Sequence, residues 1–278
     1  MNQILEPDKK YANAYIDDVS VHSVNWSLHM IHLDCVLQRI KDSGITLKFN
    51  KCKFGQTSIK YLGHVIGGGT HQPDPEKLQA ISNLIFPKTK KQMKSLLGLI
   101  NYYRAYVEHL SDHIKPLTEM VKRNKPVMLQ PTENDIRIFE FVKGLLVSAP
   151  ILRCPDFSLP FIIQSDASNI GTGSTLSQMF DNEEHPVAYA SCSFTDTQRR
   201  WSTVERECYA IVFALKKFDN FIYGREVSIV TDHNPLVFIT ETVPDNPKLA
   251  RWKLALQRYN ITSIKHRRVL IMQIVMQF

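Results

Sequence analysis

The chain has 278 residues, 44% of them apolar and 22% charged, with a net charge of +7. These proportions support a packed core and about two domains, and the positive balance favours a polyanionic partner, nucleic acid before membrane. Five widely spaced cysteines form no CxxC pair, and ten histidines form no HExxH or Cys/His cluster, which argues against a disulfide frame and a zinc site.

The opening MNQILEPDKK is polar, without the apolar core of a signal peptide. Residues 11–24 then read as strand, turn, strand around Tyr15-Ile16-Asp17-Asp18. Two adjacent carboxylates in such a place admit two readings. Asp is a common turn former; equally, a divalent cation offsets the repulsion of a carboxylate pair. Residues 27–43 read as a helix, with Leu28, Ile31, Cys35 and Ile40 at roughly helical spacing and Gly44 as its stop. Short strands follow, KYLGHVIGGG the clearest. Gly67-Gly68-Gly69 lacks the lysine and hydroxyl of a phosphate loop and the spacing of a dinucleotide fingerprint, so it reads as a turn.

Thr89 and Gln92 form a capping box that opens a helix running to Val107, with Met93, Leu96, Leu97, Ile100, Tyr103 and Val107 along one side. Residues 88–125 hold nine Lys/Arg and three Asp/Glu, a net +6. Scattered lysines ordinarily make a solvated face. The aromatic pair Tyr102-Tyr103 beside Arg104, with Lys90, Lys91 and Lys94 upstream, also suits a nucleic-acid surface.

Pro150, Pro155 and Pro160 punctuate APILRCPDFSLP, which places a domain boundary there. Strands are expected at 161–165, 172–179, 186–193 and 226–231, with YNITSIKH as the fifth. A second capping box, Ser202 to Glu205, opens a helix to about Asn220, and another helix covers roughly 247–258. The order predicts an α/β domain with a mixed sheet. Asp166 and Asp232 end two of these strands, where ligands and metals bind in α/β sheets. Each also has an ordinary use, as turn cap or helix N-cap. Glu205 and Glu207 compete as a third acid. Glu205 closes the capping box, whereas Glu207 shares a face with Ala210, Ile211, Ala214 and Phe218, where an acid is costly unless paired or metal-bound. Glu207 is therefore preferred, and the three acids suit hard cations. Gly171 and Gly173 either let a nucleic-acid strand approach or form a tight hairpin.

These residues carry a resemblance. In order along about 265 residues, YIDD, KCKFGQTSIKYLGHVIGGG, SLLGLINYYRAYVEHLSDHIKPLTEM, PILRCPDFSLPFIIQSDAS, HPVAYAS, ERECYAIVFALKKFDNFIYG, VTDHNPL and RWKLALQRYN resemble the Pol polyprotein of gypsy-like LTR retrotransposons, from the late reverse-transcriptase palm into ribonuclease H. The resemblance implies an α+β palm remnant over 1–70, a helical thumb and connection over 71–150, and a ribonuclease H-like five-stranded mixed sheet over 151–268, followed by an atypical apolar tail, 269–278. It implies that Asp17 and Asp18 are polymerase metal carboxylates on a hairpin turn. It implies that Asp166, Glu207 and Asp232 are ribonuclease H metal ligands, Glu207 matching the family's Glu-x-x-Ala. Implied with them are Mg²⁺ (Mn²⁺ as substitute), two-metal hydrolysis of the RNA strand of an RNA–DNA hybrid, template-primer nucleic acid and the rest of Pol as partners, no membrane, and a cytoplasmic virus-like particle as the setting.

The chain also departs from the pattern. The palm strand bearing a third polymerase carboxylate is missing upstream of YIDD, so no polymerase activity is expected from this chain alone. IKHRRVLIMQIVMQF replaces the segment that carries a fourth ribonuclease H acid. Hybrid cleavage is expected to be severely reduced, and the competing reading is a decayed remnant that binds nucleic acid without cutting it.

Overall fold

Residues 1–232 and 246–267 are described by the computed structural model; the tail 269–278 lies outside them. The chain divides into two compact units, Met1–Leu62 and a second from Gly63 onward. The boundary expected near Pro150 therefore falls inside the second unit, as does the boundary expected at residue 70.

In the first unit Ala12–Tyr15 (β1) and Asp18–Val21 (β2) pair antiparallel, with Tyr15 opposite Asp18, so the turn is Ile16-Asp17. Ile16 has φ 55°, a left-handed conformation that is costly for a β-branched residue. The strain sits where the two carboxylates are displayed. Asn25 caps Trp26–Asp42 (α1), its side chain accepting from Leu28 N at 2.9 Å. Val36 and Ile40 pack with Leu5 and Ala12 into a small core. Leu28, Met30 and Ile31 are exposed, so only the last residue of the expected apolar stripe is buried. Ser58–Tyr61 (β3) closes the unit.

In the second unit His64–Gly67 (β4) and Thr70–Pro73 (β5) form a hairpin. Gly68 and Gly69 have φ 58° and 72°, the mirror-image turn that a glycine run supplies without strain. Pro75–Ser82 (α2), Lys90–Tyr102 (α3), Leu110–His113 (α4), Lys115–Glu119 (α5) and Glu133–Val147 (α6) follow. The capping box of α3 is formed by both Thr89 and Gln92. The helix stops at Tyr102, short of Val107, because Arg104–Tyr106 tighten into a 3₁₀ turn. All six residues of its apolar side are nonetheless buried, packed against Phe139, Val142, Leu146 and Leu152. Leu152 belongs to Leu152–Arg153 (β6), which pairs with β5; this ties the proline-rich stretch to the helical layer.

The larger sheet contains Phe161–Ala167 (β7), Gly171–Phe180 (β8), Glu183–Ser193 (β9), Glu226–Thr231 (β10) and Asn260–His266 (β11), in the order β11-β10-β7-β8-β9. β10 runs parallel to β7 and β11, while β7–β8 and β8–β9 are antiparallel. This is the expected mixed five-stranded sheet. Asp181 and Asn182 take φ 51° and 68°, so the turn needs only these two residues and Glu183 and Glu184 join β9. The helices are Asp196–Arg199 (α7), Thr203–Lys217 (α8), Asp219–Ile222 (α9) and Pro247–Leu256 (α10). Phe161, Ile163, Leu176, Val227 and Ile229 of the sheet share a core with Ile211, Ala214 and Phe218. Among the described residues no helix is long and apolar enough to cross a membrane.

Candidate metal centre and its surroundings

Parallel pairing sets the site. β7 and β10 run side by side with Ser165 opposite Thr231, so the residues that follow, Asp166 and Asp232, emerge at one sheet edge. The Ser202 capping box fixes the start of α8, and Glu207 in its second turn faces the same place. Ligand oxygens from Asp166, Glu207 and Asp232 all lie within 4.8 Å of one another. Glu205 is turned elsewhere: its carboxylate accepts from Ser202 N at 2.9 Å and Lys248 Nζ at 3.0 Å. The two candidate glutamates are thus separated by function within a single helical turn.

The electrostatics are strained. Glu207 is only 4% exposed. Burial, with the charges of Asp166 and Asp232 adding to it, pushes its carboxyl up to about 8. Asp166 is raised by burial and by Asp232, against the opposing pull of the His109 imidazole. Glu207 Oε2 is buried and, among the described residues, without a hydrogen-bond partner, an arrangement that is expensive in a protein interior. A hard divalent cation would supply what is missing, held by the three carboxylates and cancelling their mutual repulsion. The donor set fits Mg²⁺.

Asp17 and Asp18 stand exposed on their hairpin. Among the described residues the only grouping of three or more metal-ligating side chains is the Asp166–Glu207–Asp232 cluster, so no third ligand joins the hairpin pair.

The expected nucleic-acid residues are dispersed. Lys91 and Lys94 are exposed, and Tyr102, 51% exposed, stacks on His64 with ring centroids 5.4 Å apart. Tyr103 corrects the sequence reading, while the half-buried Lys90 and Arg104 make bonds within the protein. Tyr103 is buried, its hydroxyl donating to Gly63 O at 3.1 Å. Lys90 Nζ donates to Lys122 O at 2.6 Å, and Arg104 Nη2 donates to Ser191 O at 2.5 Å. Residues on one amphipathic helix and the turn after it necessarily split between core and solvent, which a charge count does not reveal. If Lys91 and Lys94 touch phosphates, the double change Lys91→Glu, Lys94→Glu lowers hybrid affinity at low salt and flattens the log K against log [salt] slope by about 2. A slope unchanged from that of the unaltered chain would remove this face from the interface.

Sequence reasoning missed the neighbours of the centre. A Cβ on Gly171 would meet Asp112 Oδ1 at 2.2 Å, and one on Gly173 would meet the His109 ring at 2.2 Å. Gly171 closes the tight β7–β8 hairpin, its carbonyl accepting from Ser168 N at 2.9 Å, and both glycines also admit side chains of the segment after α3. Gly-Thr-Gly in a strand announces a close approach, yet nothing local says what approaches.

Two families match. The RNase H-like domain found in reverse transcriptase matches residues 156–259, and reverse transcriptase (RNA-dependent DNA polymerase) matches residues 1–66. The chain is 33% identical over 260 residues to the retrovirus-related Pol polyprotein from transposon 297 of Drosophila melanogaster, covering 93% of this chain and 24% of that one. It is 34% identical over 262 residues to that from transposon gypsy of the same organism, covering 90% and 25%. The chain thus spans about a quarter of the length of the curated relatives it matches. Its fold is shared with the foamy viral protease-reverse transcriptase solved in complex with an RNA/DNA hybrid, at TM-score 0.82 and 22% identity, over 97% of this chain and 37% of that one.

Proposed function

This chain belongs to the reverse transcriptase and ribonuclease H portion of retroelement Pol polyproteins, and from that premise we propose that its second unit hydrolyses the RNA strand of RNA–DNA hybrids. The observation that carries the reading is the convergence of Asp166, Glu207 and Asp232 from two parallel strand ends and a buried helix face onto one point. Divalent cations held there would activate water and stabilise the leaving oxygen. The chain's own part is to fix the three carboxylates. Asp166 and Asp232 are set by the strand register, and Glu207 by a helix whose start is capped by Ser202 and whose other acid in that turn, Glu205, is paired with Lys248. Recognition of the RNA strand would rest on its 2′-hydroxyls and backbone shape.

Asp17 and Asp18 fit a polymerase role only within a longer Pol chain, with template-primer nucleic acid as substrate and the rest of Pol as partner, in a cytoplasmic particle. The test is incubation of an RNA–DNA hybrid, end-labelled on its RNA, with Mg²⁺ or Mn²⁺. Cutting of the RNA in the hybrid, not of the same RNA alone, and its loss with EDTA are expected. Tight hybrid binding with no cutting would replace this reading with that of a nucleic-acid-binding remnant.

A further inference from the structure

We propose that His109 is a substrate contact of the ribonuclease H site, its imidazole donating a hydrogen bond to the hybrid's phosphate backbone beside the three carboxylates. The inference rests on the reading of that cluster as a hybrid-cleaving centre.

Register places the ring. Asp166 and Gly173 are cross-strand partners in β7 and β8, so their side-chain positions share one face of the sheet. The His109 ring occupies the space over Gly173 that a Cβ would fill. It therefore lies next to Asp166, although it comes from a different layer of the unit, some sixty residues upstream.

The backbone holds it there. His109 has φ 48°, a left-handed conformation that few residues other than glycine adopt and that histidine tolerates better than most. The segment is pinned on both sides. Leu110 is 1% exposed, Ser111 N donates to Ser191 Oγ at 2.9 Å, and Ser193 Oγ donates to Ser111 O at 3.1 Å. Asp112 N donates to His109 O at 3.0 Å, and Asp112 Oδ2 accepts from Ser168 Oγ at 3.2 Å. Ser168 lies two residues after Asp166, so the same bonds that fix the His109 backbone also fix the loop at the metal centre.

The ring keeps its donors for something else. Its side chain is 29% exposed; its charged neighbours are Asp166, whose carboxyl it draws down, and Glu108, whose Oε1 lies 3.9 Å from Nε2, beyond hydrogen-bond reach. No hydrogen bond to the ring from a described residue accompanies it. A side chain serving only to fill space over Gly173 needs neither polar ring atoms nor partial exposure. A cluster of three carboxylates repels a polyanionic substrate, and an N–H donor held at its border offsets that repulsion. Imidazole offers an N–H whether neutral or charged, so this role does not depend on titration.

The test compares the unaltered chain with His109→Ala, His109→Gln and Gly173→Ala. Affinity for a fluorescent RNA–DNA hybrid is read by anisotropy with Ca²⁺, cleavage with Mg²⁺, and folding by melting temperature. His109→Ala is expected to weaken hybrid binding about tenfold, the worth of one charge-assisted hydrogen bond, with a small drop in melting temperature from the residue at φ 48° that His109→Gln shares. His109→Gln carries the same backbone strain but restores a donor, and is expected to regain most of the loss. Gly173→Ala displaces the ring and is expected to weaken binding as His109→Ala does. Equal affinity of His109→Ala and the unaltered chain, or a Gln variant no better than Ala, overturns the proposal. If the unaltered chain binds but does not cut, the hydrolytic reading fails while the affinity series still decides the role of His109. An unaltered chain that does not bind hybrid overturns both.

Discussion

Replacing Glu207 by Gln is expected to stabilise the metal-free protein at pH 8 while abolishing its stabilisation by Mg²⁺. The carboxyl's ordinary value is 4.5, and in the folded chain it is pushed up to about 8. The folded state therefore holds a proton that the unfolded state releases. Below pH 4.5 both states are protonated and no penalty arises. From there stability falls as pH rises, until about pH 8, where the folded state also ionises and the loss levels off. Each unit is worth about 1.4 kcal/mol, so the full span is an upper bound. With local relaxation, about 2–3 kcal/mol remains, or roughly 5–10 °C for a unit of this size. Glutamine has no proton to lose, so its advantage grows across the same window. In Mg²⁺ the order reverses, because only the carboxylate gains a cation and ligand binding stabilises the fold that holds it. Thermal unfolding at pH 5 and pH 8, in EDTA and in Mg²⁺, measures this. A Gln variant less stable than the unaltered chain in EDTA at pH 8 would show that the Glu207 carboxylate is already satisfied without metal.

Asp166→Asn is expected to reduce hybrid cleavage about a thousandfold, whereas Asp17→Asn and Asp18→Asn leave it unchanged. The Asn side chain is nearly isosteric but brings no charge, and loss of one anionic ligand removes several kcal/mol of metal-borne transition-state stabilisation, which converts to about that factor in rate. Asp17 and Asp18 lie on an exposed hairpin of the other unit and share no ligand with the cluster. Single-turnover cleavage with saturating Mg²⁺ separates the cases. Undiminished cutting by the Asp166 variant would place the chemistry elsewhere, and loss of cutting in either hairpin variant would tie the first unit to the nuclease.

Much of this architecture was legible in the chain itself. Local signals fix local structure: the Thr89 and Ser202 capping boxes, the glycine turn at Gly68-Gly69, the hairpin carrying Asp17 and Asp18, and the five strand segments of the larger sheet. Glu207 was preferred over Glu205 because an acid on a buried helical face needs a partner, and the structure brings Glu207 to Asp166 and Asp232 and Glu205 to Lys248.

What depended on distant partners was not legible. The residues of α3 and the turn after it read as one basic, aromatic surface, yet Tyr103 is buried and, like Lys90 and Arg104, donates to a backbone carbonyl, of Gly63, Lys122 and Ser191 in turn. The proline-rich stretch read as a boundary, yet β6 within it pairs back to β5. Gly171 and Gly173 showed that something comes close, and only the packing of two layers showed it to be Asp112 and His109. Capping, turn chemistry and hydrophobic period act over a few residues and are written in order along the chain. Which side chain fills the space above a glycine is decided by layers brought together across some sixty residues of sequence, and is set only when the core closes.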